Sequence, residues 1–121
     1  NIFFLGKCNN MLEIYNNTDM VVLPSWREGL SKSLLESAAM SLPIVTTNVP
    51  GCNEIIKNKY SGLLVRVKST QKLKSAISLY LDNPRLASKL GKNARKTVVD
   101  KYTVQIINKK ILNIYNLFLN N

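Results

Sequence analysis

Short apolar runs alternate with polar, turn-forming stretches along the first half of the chain. The runs occupy residues 2–5 ("IFFL"), 19–25 ("DMVVLPS"), 43–47 ("PIVTT") and 61–67 ("SGLLVRV"). Their lengths and apolar content are typical of buried strands. Helical spacing of apolar residues occurs at 10–17 and at about 33–41, and a short helix capped by Asn53 is predicted in "NEIIKN". Short strands alternating with helices predict a parallel α/β sheet.

The second half of the chain has only helical periodicity. Apolar residues form one stripe through 69–82, and "DNP" then offers Asn83 as a cap and Pro84 as the first residue of a second helix. A third helix follows a break at Tyr102 and Thr103. Its apolar residues are predicted to point inward: Val104, Ile107, Ile111, Ile114 and Phe118.

Composition adds limits on the class of protein. The chain has 121 residues, 45% of them hydrophobic and 20% charged, which is typical of one globular domain. It has no histidine, and the spacing of Cys8 and Cys52 indicates neither a disulfide framework nor a zinc site. No apolar run approaches the roughly 18 residues that a membrane span requires. These features favour a cytosolic, reduced protein with no bound metal.

The charge balance favours anionic partners. Seventeen Lys and Arg residues stand against seven Asp and Glu residues, for a net charge of +10. Phosphates, nucleic acid and acidic lipid surfaces all attract such a protein. A solvated basic surface without any partner explains the same balance, because no basic run reaches five residues.

The stretch "REGLSKSLLES" at residues 27–37 follows the second predicted strand. Ligands of parallel α/β sheets bind outside the carboxyl ends of the strands, so topology alone points to this stretch. A purely structural interpretation is available for both of its acids. Ser33 and Glu36 have the spacing of a helix capping box, and Glu28 is within reach of Arg27 or Lys32 as an exposed ion pair.

A functional interpretation of the same stretch is also open. A helix beginning near Ser31–Ser33 has free N–H groups and a positive dipole end, which suit a diphosphate. Gly29 and the small serines allow close approach to the main chain. Carboxylates repel phosphate but accept hydrogen bonds from sugar hydroxyls, so Glu28 and Glu36 suit the two sugars of a nucleotide-sugar.

The segment "LPSWREGLSKSLLESAAMSLPIVTTNVPGCNEII", followed by "SGLLV", resembles the donor-binding half of the family-four (group 1) retaining glycosyltransferases of the GT-B fold. Glu28 and Glu36 form the E-x7-E element of that family. The "PIVTT" strand, the "VPG" turn and the basic "NAR" stretch near the end also occur in family order. Two positions differ from the family pattern. Ser41 stands where glycine is frequent, and Ser31 stands where proline or glycine is frequent.

The resemblance implies a fold and a domain organisation. The expected fold class is α/β: a Rossmann-like parallel sheet with flanking helices, forming an incomplete C-terminal half of a GT-B donor-binding domain. Residues 1–67 would be its α/β part and 68–121 its helical tail, with the N-terminal acceptor domain and a phosphate-clamping Arg/Lys pair outside this chain. Exposed sheet edges, a last helix that needs the other domain, and inactivity of this piece by itself are further expectations.

The resemblance also implies residue roles. Glu28 would be the catalytic residue, holding the donor sugar near its anomeric centre. The donor-binding set comprises Gly29, Leu30, Ser31, Lys32, Ser33 and Glu36. Within it, the main-chain N–H groups around Leu30, Ser31 and Lys32 would contact sugar and phosphate. Ser33 would lie at the helix start near the diphosphate, and Glu36 would hold the ribose hydroxyls. No cofactor and no divalent metal are implied.

The activity implied is retaining transfer of a hexosyl or N-acetylhexosaminyl group from a nucleotide-diphosphate sugar, a UDP-sugar by preference, to a glycan or lipid-linked acceptor. Bacterial polysaccharide assembly in the cytoplasm, with peripheral contact at the inner face of the membrane, is the expected setting. Two rival functions stay open. One is a non-catalytic nucleotide-binding module on the same fold. The other is a nucleic-acid-binding protein, against which stands the lack of exposed aromatics between the basic residues.

Overall fold

The computed structural model describes residues 1–119, which form three parallel strands and five helices. In chain order these are α1 (Met11–Asn16), β1 (Val21–Leu23), α2 (Lys32–Ala39), β2 (Ile44–Thr47), β3 (Leu63–Val65), α3 (Thr70–Asp82), α4 (Pro84–Lys101) and α5 (Val104–Leu119). The sheet order is β1-β2-β3, with Val22 opposite Val45 and Val45 opposite Leu63. Three of the four predicted strands are thereby confirmed. No helix in the described part of the chain is long and apolar enough to cross a membrane.

Helices cover both faces of this sheet. Successive residues of β2 point to opposite sides, so Ile44 belongs to one buried cluster and Val45 to the other. The Ile44 side also contains Leu34 of α2, and the Val45 side contains Tyr80 of α3. Burial on both faces is typical of a parallel sheet and explains why β1 and β3 are apolar throughout, whereas β2 ends in two buried threonines. The predicted α/β, Rossmann-like fold class is confirmed.

Helix α4 joins the two clusters and holds the end of α2. A Cβ atom at Gly91 would overlap the carbonyl oxygen of Ser41, so only glycine allows α4 this close. The guanidinium group of Arg95 donates to the carbonyl oxygen of Ala39, the last residue of α2. Ser41 itself has a φ of +59°, in the left-handed region. This conformation explains the preference for glycine that the family resemblance implies at this position.

The strand predicted at residues 2–5 is wrong. These residues form no strand, and the side chain of Phe4 is 97% exposed. A strand needs a neighbour for its N–H and C=O groups, and within residues 1–119 β1 pairs only with β2. The outer edges of β1 and β3 are thus unpaired in this part of the chain, and residues 2–5 occupy neither of them.

Two further expectations about the second half need correction. The face of α5 predicted to point inward is exposed, and none of its described residues is buried. The predicted "NEIIKN" helix is a series of turns, in which the carbonyl oxygen of Cys52 accepts from the N–H groups of both Ile55 and Ile56. All three side chains are fully buried, so core packing sets this backbone. Residues 120 and 121 of the predicted tail lie outside the described residues.

Candidate functional site

The predicted donor-binding residues lie in the loop after β1 and the first turns of α2. Ser31 is the N-cap of α2, and its hydroxyl oxygen accepts from the N–H of Leu34 at 3.4 Å. Lys32 and Ser33 occupy the first two helical positions, and both side chains are exposed. The predicted capping box of Ser33 and Glu36 is therefore wrong, because the cap lies two residues earlier.

The main-chain N–H groups of residues 29–33 are free within the described chain. They make no hydrogen bond there, whereas the next N–H groups, those of Leu34 and Leu35, bond to Ser31. Unpaired N–H groups at a helix start carry a partial positive charge, and the helix dipole adds to it. Gly29 and Leu30 are exposed, so a ligand can reach these donors from solvent. This run of donors, defined by residues 29–33, is referred to below as the amide cradle.

Glu28 stands at the entrance to the amide cradle and is held by the sheet. Its Oε1 atom accepts from the hydroxyl of Ser25 at 2.7 Å. The carbonyl oxygen of Ser25 accepts in turn from the hydroxyl of Thr47, the last residue of β2. The ion pair considered with Arg27 or Lys32 does not form within the described residues. The carboxylate is thereby tied to the carboxyl edge of the sheet.

The "VPG" turn after β2 supports the same loop from behind. Gly51 has a φ of +82°, and a Cβ atom there would overlap the carbonyl oxygen of Gly29 and lie 2.8 Å from that of Glu28. Only glycine satisfies both the conformation and the space. Its N–H donates to Oε1 of Glu54 at 3.1 Å. Gly51 therefore sets how close the turn lies to the catalytic candidate.

Glu36 follows the amide cradle along the chain, and its carboxylate is held by two groups. The hydroxyl of Tyr15 donates to its Oε2 atom at 3.0 Å, and Nζ of Lys32 lies 3.7 Å from Oε1. Burial raises the pKa of Tyr15 above its ordinary value, and the hydrogen bond to the Glu36 carboxylate raises this pKa further. The phenol is thus the donor and the carboxylate the acceptor.

Two cavities border these elements. One, of about 280 Å³, is lined by Glu36, Tyr15, Ala39 and the apolar side chains of Met11, Leu12 and Met40. Glu28 does not line it, so the structure does not bring both acids into this one cavity.

The other cavity, of about 450 Å³, lies at the carboxyl ends of the strands. Its lining includes Trp26, Arg66 and Lys68. Nζ of Lys68 lies 4.7 Å from the centre of the Trp26 ring, a cation–π contact. Trp26 is 68% exposed, so its ring is accessible from solvent.

Sequence reasoning located the two glutamates and the helix start but missed the residues that support them. Tyr15, Thr47 and Gly51 were assigned only to a helix face, a strand and a turn. The available signal was the strand "IVTT", whose threonines follow two aliphatic residues at the edge where ligands bind. Hydroxyl groups at the carboxyl end of a buried strand are well placed to bond the end of the neighbouring strand or the loop after it. Thr46 donates to the carbonyl oxygen of Leu23, the last residue of β1, at 2.9 Å.

Known proteins with similar chains are glycosyltransferases. The chain is 35% identical over 120 residues to the N,N'-diacetylbacillosaminyl-diphospho-undecaprenol alpha-1,3-N-acetylgalactosaminyltransferase of Campylobacter jejuni, covering 99% of this chain and 32% of that protein. It is 27% identical over 114 residues to the UDP-Gal:alpha-D-GlcNAc-diphosphoundecaprenol alpha-1,3-galactosyltransferase of Escherichia coli, covering 94% and 30%. The chain thus spans about a third of the length of these relatives.

The fold is similar to that of solved glycosyltransferases. Anabaena HepE, solved in complex with UDP, superposes with a TM-score of 0.89 at 20% identity, over 93% of this chain and 31% of that one. The family model described as "Glycosyl transferases group 1" matches residues 1–97, which include the whole predicted site. Because this family model covers most of the chain, the chain belongs to the group 1 glycosyltransferases.

Proposed function

We propose that this chain is the donor-binding part of a retaining family-four glycosyltransferase, with Glu28 as its catalytic residue. The enzyme transfers a hexosyl or N-acetylhexosaminyl group from a UDP-sugar to a lipid-linked or glycan acceptor. The observation that carries the proposal is the amide cradle, whose free N–H groups lie along the chain between two carboxylates that each accept a defined hydrogen bond. A diphosphate between two sugars has the matching order of charge and hydroxyl groups.

The diphosphate binds at the amide cradle. Phosphate oxygens accept hydrogen bonds from the N–H groups of residues 29–33 and are attracted by the positive end of α2. These same donors stabilise the negative charge that grows on the diphosphate as the sugar departs. This main-chain contribution requires no divalent metal and no cofactor. The Arg/Lys pair that the family resemblance implies would add positive charge from outside this chain.

Glu28 holds the donor sugar. One of its oxygens is engaged by Ser25, and the other is free to accept hydrogen bonds from sugar hydroxyls. The Ser25–Thr47 support fixes the carboxylate before the donor binds, so orientation is prepared in advance. Catalysis in this proposal comes mainly from positioning the anomeric carbon and stabilising the leaving group.

Glu36 takes the ribose hydroxyls, and the cavity beside it takes part of the nucleoside. Its carboxylate already accepts from Tyr15, which keeps it on the side of the 280 Å³ cavity. The side chains of Met11 and Leu12 offer an apolar wall on which a ring can lie. UDP as the nucleotide is supported by the UDP-Gal in the name of the Escherichia coli relative and by the UDP in the HepE complex.

A lipid-linked acceptor is supported by the relatives' names. Both curated relatives described above act on sugars joined through a diphosphate to undecaprenol. We accordingly propose that the enzyme works in bacterial polysaccharide or glycoconjugate assembly in the cytoplasm, at the inner face of the membrane. Residues 1–67 and 68–121 act together as the C-terminal part of the donor domain, and the acceptor domain corresponds to the portion of the relatives that this chain does not span.

The experiment compares UDP binding, UDP-sugar binding and sugar transfer in the full-length protein and two variants. Glu36→Ala should weaken binding of UDP by at least about tenfold, the effect of losing roughly 1.4 kcal/mol of ribose contacts. Glu28→Ala should leave UDP binding near wild type but weaken UDP-sugar binding and abolish transfer. Asp100→Ala removes an exposed acid of α4 and serves as the charge control.

Three outcomes contradict the proposal in different ways. Transfer that survives Glu28→Ala removes the catalytic assignment. UDP binding that is unchanged in Glu36→Ala removes the ribose assignment. Nucleotide binding without transfer by the wild-type protein on lipid-linked or glycan acceptors supports the rival, a non-catalytic nucleotide-binding module. Parallel titrations with GDP and ADP test the choice of UDP.

A further inference from the structure

Helix α4 carries a row of basic side chains on its outer face. Arg85, Lys89, Lys92 and Lys96 follow one another at intervals of four, three and four residues, which places them on one side of a helix. All four residues are exposed, whereas the opposite side of α4 is buried against the sheet and α2. The row, referred to below as the basic stripe, is about 16 Å long at 1.5 Å per residue.

The basic stripe has no acidic counterpart. Within residues 1–119 the only ion pair is that of Lys32 with Glu36, so no member of the stripe is paired. Asp100 is the sole acid of α4, and it lies one turn beyond Lys96 without forming an ion pair in the described chain. No ion pair in the described chain therefore neutralises the charge of the stripe.

Helix stability does not account for this arrangement. Each consecutive pair in the stripe brings like charges to neighbouring positions, which destabilises a helix. Arg85 also lies in the first turn of α4, which contains no acid, so its charge opposes the helix dipole. Electrostatic interactions within the chain are thus unfavourable for the stripe. An external anionic partner makes the electrostatic energy of these four cations favourable.

The stripe borders a surface cavity that can bind anionic groups. A surface cavity of about 530 Å³ is lined by Pro84, Arg85, Ser88, Lys89, Lys92 and Asn93. The Asn93 amide is already engaged, since its Nδ2 atom donates to the carbonyl oxygen of Tyr60 at 2.8 Å. The remaining donors of this cavity are the cationic groups and the hydroxyl of Ser88, which suit phosphate oxygens.

We propose that the basic stripe of α4 docks the enzyme on an anionic lipid bilayer. A bilayer presents a continuous layer of phosphate groups, which matches a straight row of four cations better than any single small ligand does. The inference rests on the proposed function, because a lipid-linked acceptor lies in such a surface. The attraction acts within a Debye length and weakens as salt is added.

The test measures sedimentation of the full-length protein with phosphatidylcholine vesicles, with and without 30 mol% phosphatidylglycerol. The stripe variant combines Arg85→Gln, Lys89→Gln, Lys92→Gln and Lys96→Gln. A matched control removes the same charge elsewhere through four exposed lysines: Lys7→Gln, Lys57→Gln, Lys72→Gln and Lys74→Gln. Wild type and control should bind the anionic vesicles, the stripe variant at least about tenfold more weakly, and none should bind the neutral ones.

The inference is overturned if the stripe variant and the control bind anionic vesicles equally, or if wild type binds none. Binding of a short DNA duplex that depends on the stripe, without vesicle binding, assigns the stripe to nucleic acid instead. Circular dichroism establishes that both variants fold. UDP affinity is measured alongside and should be unchanged in the stripe variant. If wild type binds anionic vesicles through the stripe but transfers no sugar, only the proposed function is contradicted. If wild type transfers sugar but the stripe variant and the control bind anionic vesicles equally, only the docking surface is contradicted.

Discussion

The hydroxyl group of Tyr15 donates a 3.0 Å hydrogen bond to the carboxylate of Glu36, which lies 21 residues further along the chain. The bond links α1 to the middle of α2 beside the amide cradle. Tyr15 is buried and Glu36 is half-buried, so the pair closes one side of the site while leaving the carboxylate accessible. Several expectations depend on such supporting contacts rather than on the ligand-binding residues themselves.

Removing the Tyr15 hydroxyl should weaken both the fold and nucleotide binding. Tyr15→Phe loses one hydrogen bond to a charged group, for a decrease of about 1.5 kcal/mol in the free energy of unfolding. If the bond holds Glu36 for ribose, the affinity for UDP should fall by about fivefold, the factor that roughly 1 kcal/mol represents. Urea denaturation and UDP titration measure the two effects. Tyr115→Phe changes an exposed tyrosine and should alter neither.

Gly51→Ala should destabilise the fold through the backbone of the site loop. The added Cβ meets the carbonyl oxygen of Gly29 and takes a left-handed φ, at a combined cost of about 3 kcal/mol. Gly29→Ala is the comparison, since a Cβ there has nothing within 4 Å and should change stability by less than about 0.5 kcal/mol. We expect Gly29→Ala to weaken UDP-sugar binding all the same, because its methyl group lies at the cradle. Equal stability of the two variants would refute the packing explanation.

Ser41→Gly should stabilise the protein. Ser41 has a φ of +59°, which an L-residue adopts at a cost of about 1 kcal/mol and glycine adopts freely. After the greater freedom of glycine in the unfolded chain is subtracted, the gain is about 0.5 kcal/mol. Thermal and urea unfolding measure it, with Ser41→Ala as the control that keeps the left-handed strain. A lower stability for Ser41→Gly than for Ser41→Ala would contradict the strain explanation.

Tyr80 should make stability fall at alkaline pH. Its hydroxyl is buried and donates to the carbonyl oxygen of Ile44 at 3.2 Å, and burial raises its pKa well above the usual 10. A raised pKa means that the fold favours the neutral phenol, so this stability is complete below pH 10 and is lost as the pH rises. The loss attributable to Tyr80 is about 1.4 kcal/mol at pH 11.

Urea denaturation of wild type and Tyr80→Phe between pH 8 and pH 11 tests this dependence. The variant should be less stable by about 1 kcal/mol at pH 8, because the hydrogen bond is absent, and should lose less than wild type on going to pH 11. Parallel stability curves for the two proteins would contradict the assignment. Tyr115→Phe, with its exposed ring, should follow wild type throughout.

Elements that are stabilised by interactions between neighbouring residues were predicted well from the sequence. Asn83 caps α4 through a 3.2 Å bond from the N–H of Leu86, and Pro84 begins that helix, as the "DNP" signal indicated. The strands at β1, β2 and β3 were evident because burial on both faces makes each a short apolar run. Helix, cap and strand signals of this kind require no knowledge of distant residues.

Elements whose partners are distant could not be predicted in the same way. Residues 2–5 have the composition of a strand but no neighbouring strand in the described chain, and the apolar face of α5 has no buried contact there. An apolar pattern states that a face favours burial, but it does not identify what covers that face. The predicted capping box of α2 was wrong for a different reason. Ser31 and Ser33 are chemically equivalent candidates for the cap, and the loop geometry selects Ser31.

The candidate site shows the same division. Glu28 and Glu36 were found from their spacing and their position after a strand. Their supporting contacts join distant residues: Tyr15 and Glu36 are 21 residues apart, and Thr47 and Ser25 are 22 apart. Gly51 supports the loop through close approach to the backbone of Gly29. Sequence spacing indicates which groups are available. Only the fold shows which of them meet.

The bond from Thr47 to the Ser25 carbonyl means that natural variation inside a buried strand can be mistaken for damage to the reaction centre. A Thr47→Val allele would keep the shape and the apolar character of the strand, yet it would release the loop that carries the acid at position 28. If Glu28 acts as proposed, such an allele would resemble an active-site lesion in an activity screen. Under the proposed role of Glu28, the end of the second strand therefore belongs with the functional positions of this chain.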